Sequence, residues 1–234
     1  MNIMKRSRFY PMALFLVISI GCIGQSKVDN GLWSTISLEK ELPKKFSFSF
    51  DQEIRFKDNI SRLDILYSNI GFDYSFLKGF KTGIYYRLTE KYTKENEFKF
   101  KHKFMFDIAY RYKISPISIS YRSRIQSEVK DYNSEYETNL AWFWRNKFEL
   151  KYSFKKFIPH VSAEFYYQIK DPWNSALNKG WHKQRFSFGL DYKLNKKNEF
   201  GLYYLIQRGI DVDDSNDINV IGIQYKLTLP YNKQ

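Results

Sequence analysis

The sequence contains one cysteine and three histidines, and beyond its first 24 residues it has no run of about 18 apolar side chains. Each scarcity removes a class of protein. The cysteine, Cys22, falls in an N-terminal leader, so the exported chain is expected to carry no thiol, no disulfide and no cysteine-based metal site. The histidines are not spaced as metal-binding pairs, and no glycine-rich phosphate loop is present, so neither metal nor cofactor is expected. Without a long apolar run there is no candidate transmembrane helix, and any insertion into a membrane must use strands.

What is abundant is aromatic side chains and charge. Phe, Tyr and Trp make up 19% of the chain and Asp, Glu, Lys and Arg 27%, while the mean hydropathy is −0.54. A soluble core rarely combines these values. They are expected where apolar and charged residues alternate one by one, because a transmembrane barrel shows only every second side chain to lipid and averages to polar overall.

The first 24 residues read as a signal peptide: Lys5, Arg6 and Arg8, then the apolar run Met12 to Ile20, then small residues at Gly21, Cys22 and Gly24. The apolar run is too short to span a bilayer as a helix. The expected division is residues 1–24 as leader and 25–234 as one barrel domain, with cleavage near Gly24/Gln25. Gly21-Cys22 also looks like the end of a lipobox, so lipidation at Cys22 stands as a second reading, with Ser19 a poor residue three places earlier. Removing the leader with its three basic residues takes the formal charge from +13 to +10. The Lys and Arg residues are spread along the strands and interleaved with Asp and Glu, which argues against nucleic acid and leaves anionic lipid headgroups as a counterpart.

The rest of the chain alternates with a period of two. From Phe46 to Lys57 one face holds Phe46, Phe48, Phe50, Ile54 and Phe56, and the other Ser47, Ser49, Asp51, Glu53, Arg55 and Lys57. From Phe98 to Tyr112, phenylalanines, Ile108 and tyrosines oppose Lys99, Lys101, Lys103, Asp107 and Arg111, with His102 alone interrupting the apolar side. Similar segments cover 32–41, 66–76, 80–88, 117–129, 140–154, 161–169, 186–194, 200–206 and 221–229. Short turns at Pro43-Lys44-Lys45, Lys78-Gly79, Ser115-Pro116, Lys155-Lys156 and 195–198 alternate with longer polar connections, the pattern of short periplasmic turns and longer outer loops. The expected fold is an all-β, up-and-down antiparallel transmembrane barrel of about ten strands, ten to twelve. Eleven segments are counted, and bacterial single-chain barrels have even numbers. Residues 32–41 are therefore expected to be an accessory strand or plug, with both ends of the barrel in the periplasm, or else a split segment makes twelve.

Parity alone does not say which face meets water; volume does. A ten-stranded lumen is too narrow for dozens of Phe and Tyr rings, so these are expected to face lipid, with Tyr112, Trp142, Trp144, Tyr152, Trp181 and Tyr225 in interfacial girdles. The lumen is then expected to hold Glu53, Arg55, Arg87, Asp107, Arg111, Arg122, Arg124, Glu128, Arg145, Glu149, Glu164, Arg185 and Asp191, paired across neighbouring strands.

Trp33, Glu53-Ile54-Arg55, Gly83-Ile84-Tyr85-Tyr86-Arg87, Tyr121-Arg122-Ser123-Arg124, Ala163-Glu164-Phe165 and Gly201-Leu202-Tyr203-Tyr204 together resemble the outer-membrane family catalogued as domain of unknown function 2490, over roughly Trp33 to Leu229. The resemblance implies a barrel in the outer membrane of a Gram-negative cell, with outer-membrane lipids and, during biogenesis, the barrel assembly machinery as partners. It brings no catalytic or binding residues and no solute.

Two chemical arrangements remain. His160-Val161-Ser162-Ala163-Glu164 puts a histidine and a serine on one strand face and is similar to the His-x-Ser of outer-membrane lipid hydrolases, but parity directs it into the lumen and away from lipid. Asp211, Asp213, Asp214 and Asp217 supply hard oxygen ligands without the order of a calcium loop, and a solvated acidic loop accounts for them. The expected function is an integral barrel of unspecified role, a narrow small-solute channel or a structural or docking protein, and not an enzyme. A lipid hydrolase and a soluble periplasmic ligand-binding barrel are the alternatives.

Overall fold

The computed structural model describes residues 28–93, 97–130, 140–170, 179–210 and 217–232. The expected leader, with Cys22, lies outside the described residues. Eleven strands form one closed barrel: β1 (Asp29–Glu41), β2 (Phe46–Lys57), β3 (Arg62–Leu77), β4 (Phe80–Tyr92), β5 (Phe98–Ile114), β6 (Ile117–Lys130), β7 (Ala141–Tyr152), β8 (Phe157–Lys170), β9 (Gly180–Lys193), β10 (Asn198–Gly209) and β11 (Ile218–Leu229).

Each strand pairs antiparallel with its neighbours in sequence, except that β1 and β11 pair in parallel, from Asp29↔Ile218 to Lys40↔Leu229. This corrects the expectation of an even count. An up-and-down chain of odd strand number has first and last strands pointing the same way, so only a parallel ladder can close it. The segment at residues 32–41 is thus a full stave of the wall, and β1 begins at the opposite end of the barrel from where β11 finishes. β1 enters at the end that carries the longer connections, and β11 finishes at the end that carries the short turns.

Hydrogen-bonded rows climb steeply around the wall. One inward row runs from Glu41 at the turn end through Ser47, Asp73, Gly83, Asp107, Arg124, Arg145 and Tyr166 to Lys183, near the loop end. That tilt lets charges distant along the sequence meet inside. Bulges interrupt the register between Arg55 and Phe56, Tyr74 and Leu77, Trp142 and Phe143, and Tyr166 and Tyr167.

The two faces differ in chemistry as parity requires. Ile84, Phe104, Phe106, Phe148, Phe186, Phe188 and Leu202 are exposed on the outer wall, whereas Asp107, Arg124, Gln126, Glu128, Arg145, Glu164 and Asp191 are buried. Tyr112, Trp142, Trp144, Tyr152 and Trp181 are exposed, and Trp144 Nε1 donates to Ser123 Oγ at 2.8 Å. Tyr225 donates its hydroxyl to Asn198 Oδ1 at the turn end. An outer wall this apolar cannot be stably presented to water, since exposed apolar patches on soluble monomers rarely exceed a few hundred Å².

Inward-facing glycines make room for rings. A Cβ on Gly222 would fall within the Tyr203 ring, and one on Gly71 within the Tyr85 ring. At the loop end the backbone turns left-handed through Asp58, Asn59 and Ile60, with φ of 54°, 56° and 70°. Asp29 at the mouth of β1 holds this turn by accepting the Asp58 and Asn59 amides at 2.8 and 2.9 Å.

The connections are charged in opposite senses. The turns 42–45, 78–79, 115–116, 153–156 and 194–197 carry Lys44, Lys45, Lys78, Lys155, Lys156, Lys196 and Lys197 and no Asp or Glu. The connections 58–61, 93–97, 131–140, 171–179 and 210–217 carry eleven Asp or Glu in sequence against two lysines, Lys94 and Lys179.

Candidate functional site: a charged lumen

Six of the thirteen charges expected in the lumen are drawn into two linked carboxylate centres. Glu164, on β8, is a hub: Arg122 Nη2 and Arg145 Nη2 donate to its Oε1 at 2.7 and 2.9 Å, Tyr166 donates to Oε2 at 3.0 Å, and Arg185 Nη1 stands 3.9 Å away. Arg185 also donates to Tyr166 Oη at 2.6 Å and to Gln207 at 2.8 Å. Asp107, on β5, is gripped by Arg124 through two parallel bonds, Nε to Oδ1 at 2.6 Å and Nη2 to Oδ2 at 2.7 Å, the fork geometry that makes arginine and carboxylate a strong pair. Arg122, 3.9 Å from Asp107, joins the two centres.

The remaining seven lie outside these centres. Glu53 and Arg55 pair with one another on β2, and Thr35 donates to Glu53 at 3.2 Å. Glu128 lies between Lys101 at 3.1 Å and Lys103 at 2.8 Å. Glu149 pairs with Lys147 at 3.2 Å. Asp191, fully buried, accepts from Lys151 at 3.1 Å and Gln224 at 2.8 Å and lies 3.3 Å from His160 Nε2. Arg87 makes no ion pair among the described residues; it reaches Asn69 Oδ1 at 3.4 Å and covers the Tyr67 ring at 4.6 Å. Arg111 is exposed near the turn-end mouth and joins none of these clusters.

Sequence reasoning missed the aromatic partners of these charges. The Arg55 guanidinium lies 3.4 Å above the Trp33 ring centroid and 4.5 Å from that of Tyr67; Arg145 and Lys183 lie 4.4 and 4.5 Å from Tyr166. Such stacking holds arginines that a carboxylate alone would leave mobile. Trp33, Leu205 and Val220 form a buried apolar cluster in the loop-end half, with Tyr203 and Ile218 packed against it. The signal was present in parity: Tyr67 and Tyr85 alternate with the polar side of their strands, and Lys101 and Lys103 share a face with Asp107.

Two polar spaces lie among these interior side chains. One of about 330 Å³ is lined by Glu53, Glu149, Lys151, His160, Ser162 and Arg185 among others. The second, about 260 Å³, is lined by Asp73, Lys81, Asp107, Arg122 and Arg124 among others. Asp51, Asn69 and Arg87 border both, so Arg87 stands at the partition.

The His-x-Ser pair faces the first space and not the outer wall. Ser162 Oγ is hydrogen-bonded to Ser187 Oγ at 2.7 Å across β8 and β9, and His160 is directed to Asp191 rather than to Glu164. His102, on the outer face, shares a 2.7 Å hydrogen bond between its Nδ1 and the Tyr86 hydroxyl. Asp211, Asp213 and Asp214 lie outside the described residues; Asp217 accepts the Gly209 amide at 2.9 Å. Among the described residues no three His, Cys, Asp or Glu side chains are grouped to hold a metal ion.

An apolar outer wall, a charged interior and closure by hydrogen bonds all round define a β-barrel of the membrane-spanning type. The chain belongs to the family described as protein of unknown function (DUF2490), whose model matches residues 30–218, all but the end of the region over which the sequence resemblance ran. No curated protein matches the chain. Among solved structures, one described as "Bacterial polysaccharide outer membrane secretin" is similar with a TM-score of 0.48 and 10% identity, over 80% of this chain and 63% of that one; the chain thus spans less than two thirds of that structure's length.

Proposed function

We propose that the protein is an integral outer-membrane barrel, exported by its N-terminal leader in a Gram-negative cell, whose lumen is shut by its own side chains, so that it serves as a structural or docking element of the membrane. The observation that carries this reading is the filling of the lumen. Trp33, Leu205 and Val220 are buried together in the loop-end half, the ion pairs around Glu164 and Asp107 tie strands together across the middle, and the spaces beside them measure about 330 and 260 Å³. An open porin needs a water-filled channel along its whole length. Purified protein reconstituted in a planar bilayer is expected to give no discrete conductance steps; regular steps would overturn the closed reading in favour of a narrow solute channel.

That channel is the second reading, and the position of Arg87 favours it. An arginine with no ion pair among the described residues, at the partition between two polar spaces, is what a selective constriction would use. The enzymatic alternative draws less from the geometry, because the Ser162 hydroxyl already has a partner in Ser187. Ser162→Ala is expected to leave phospholipid and lipid A release from membranes carrying the protein at the level of the unsubstituted chain; a drop would make Ser162 a nucleophile.

A further inference from the structure

The turn end carries a cleft on the rim of the barrel, where Lys193, Glu199 and Lys226 stand on the inward face of their strands. Its volume is about 520 Å³, and it is lined by Lys155, Lys156, Lys193, Lys196, Lys197 and Lys226, with Glu199 as its one carboxylate. Lys226 pairs with Glu39 at 2.6 Å; the other five lysines make no ion pair among the described residues. The backbone beneath them is fixed independently of the amines. The Lys193 amide donates to the Lys156 carbonyl at 2.8 Å and the Thr228 amide to the Lys197 carbonyl at 2.7 Å, and Asn195 Oδ1 accepts the Lys197 and Asn198 amides at 2.8 and 2.9 Å.

Several like charges held on a rigid rim repel one another unless an anion lies between them. The cleft also sits at the edge of the apolar wall. Phe154, Phe157, Leu194 and Phe200 are exposed on the adjoining strand ends and turns without lining the cleft, and the Lys155 and Lys156 ammonium groups lie 5.5 and 5.9 Å from the Phe154 and Tyr192 ring centroids, which ties the lysines to that apolar surface. A ligand with phosphate at one end and hydrocarbon at the other fits both surfaces; a free phosphate or an acidic peptide uses only the first. The opposite charges of the two ends give the same direction, since the acidic loop end would repel what the lysine end attracts.

We infer that this cleft binds the phosphate headgroup of an anionic phospholipid in the leaflet at the turn end, and so fixes the depth and orientation of the barrel in its bilayer. The inference rests on the reading of the chain as membrane-spanning. The test is reconstitution in vesicles of mixed phosphatidylcholine and phosphatidylglycerol, followed by native mass spectrometry of the extracted barrel with its retained lipid. The unsubstituted chain is expected to retain phosphatidylglycerol over phosphatidylcholine by roughly tenfold or more, since each basic residue near the surface favours anionic lipid. The triple variant Lys156→Gln, Lys196→Gln, Lys197→Gln is expected to lose that preference, whereas Lys91→Gln, Lys99→Gln, Lys179→Gln at the other end keeps it. A heat-modifiable, inserted barrel that retains both lipids equally overturns the inference, as does a preference that survives the first triple variant. Loss of the retained lipid to millimolar inorganic phosphate in detergent would mark a free-phosphate site and overturn it too. Failure of the chain to insert into vesicles would instead overturn the membrane reading beneath it.

Discussion

Glu164→Gln is expected to lower the unfolding free energy of the barrel by about 3 to 5 kcal/mol, the cost of leaving buried charge without its partner. The carboxylate lies between Arg122 at 2.7 Å and Arg145 at 2.9 Å with Arg185 at 3.9 Å, and its side chain is 9% exposed. Removing its charge leaves three guanidinium groups gathered around an uncharged side chain in the interior. The direct gain from a buried ion pair is small once desolvation is counted, so the loss comes mainly from the orphaned arginines. This gives the control: Glu164→Gln combined with Arg145→Gln is expected to recover part of the loss, because the second substitution removes one of the stranded charges. Urea titration of the folded barrel in vesicles, read by the heat-modifiable gel shift, measures both. A single variant as stable as the parent would show the interior to be wet and well screened, which would also undo the closed-lumen reading.

The charges that make this hub are legible in the alternation of the chain, and the reason is geometric. In a strand the side-chain period is two, so naming the residues opposite the phenylalanines names the lumen. What alternation cannot supply is which charges meet. Glu164 reaches Arg122 two strands away because the rows climb around the barrel, and that climb is set by shear, a property of the closed sheet and not of any one segment. Strand ends were also hidden. β3 begins at Arg62 and β9 at Gly180, several residues ahead of where alternation becomes visible, because bulges beside Arg55/Phe56 and Tyr166/Tyr167 slip the parity by one. The expectation of an even count set aside a segment that the alternation itself had found. Trp33 was the larger omission: a tryptophan reads as a girdle residue until its strand is known to be part of the wall with Trp33 on the inner side, opposite Arg55.

The apolar wall gives the second large effect, and it separates a membrane barrel from a soluble one. Phe106 stands on the outer face near the middle of β5, 46% exposed, between Ile84 on β4 and Ile125 on β6. Phe106→Arg is expected to cost about 2 to 4 kcal/mol in a bilayer, the penalty for an arginine on the lipid face at mid-depth. The same substitution on a water-facing wall would change stability by about 0.5 kcal/mol or less, as exposed surface substitutions do. Phe154→Arg, on the outer face at the turn end, is the internal standard. At the membrane edge the penalty falls to roughly 0 to 1 kcal/mol, so depth and not the loss of a ring sets the difference between the two variants. Equal and small effects at both positions would place water on both sides of the wall and return the chain to the soluble-barrel reading. A large cost at Phe106 with little at Phe154 requires hydrocarbon between the two rims, which is the condition on which the lysine cleft and the closed lumen both depend.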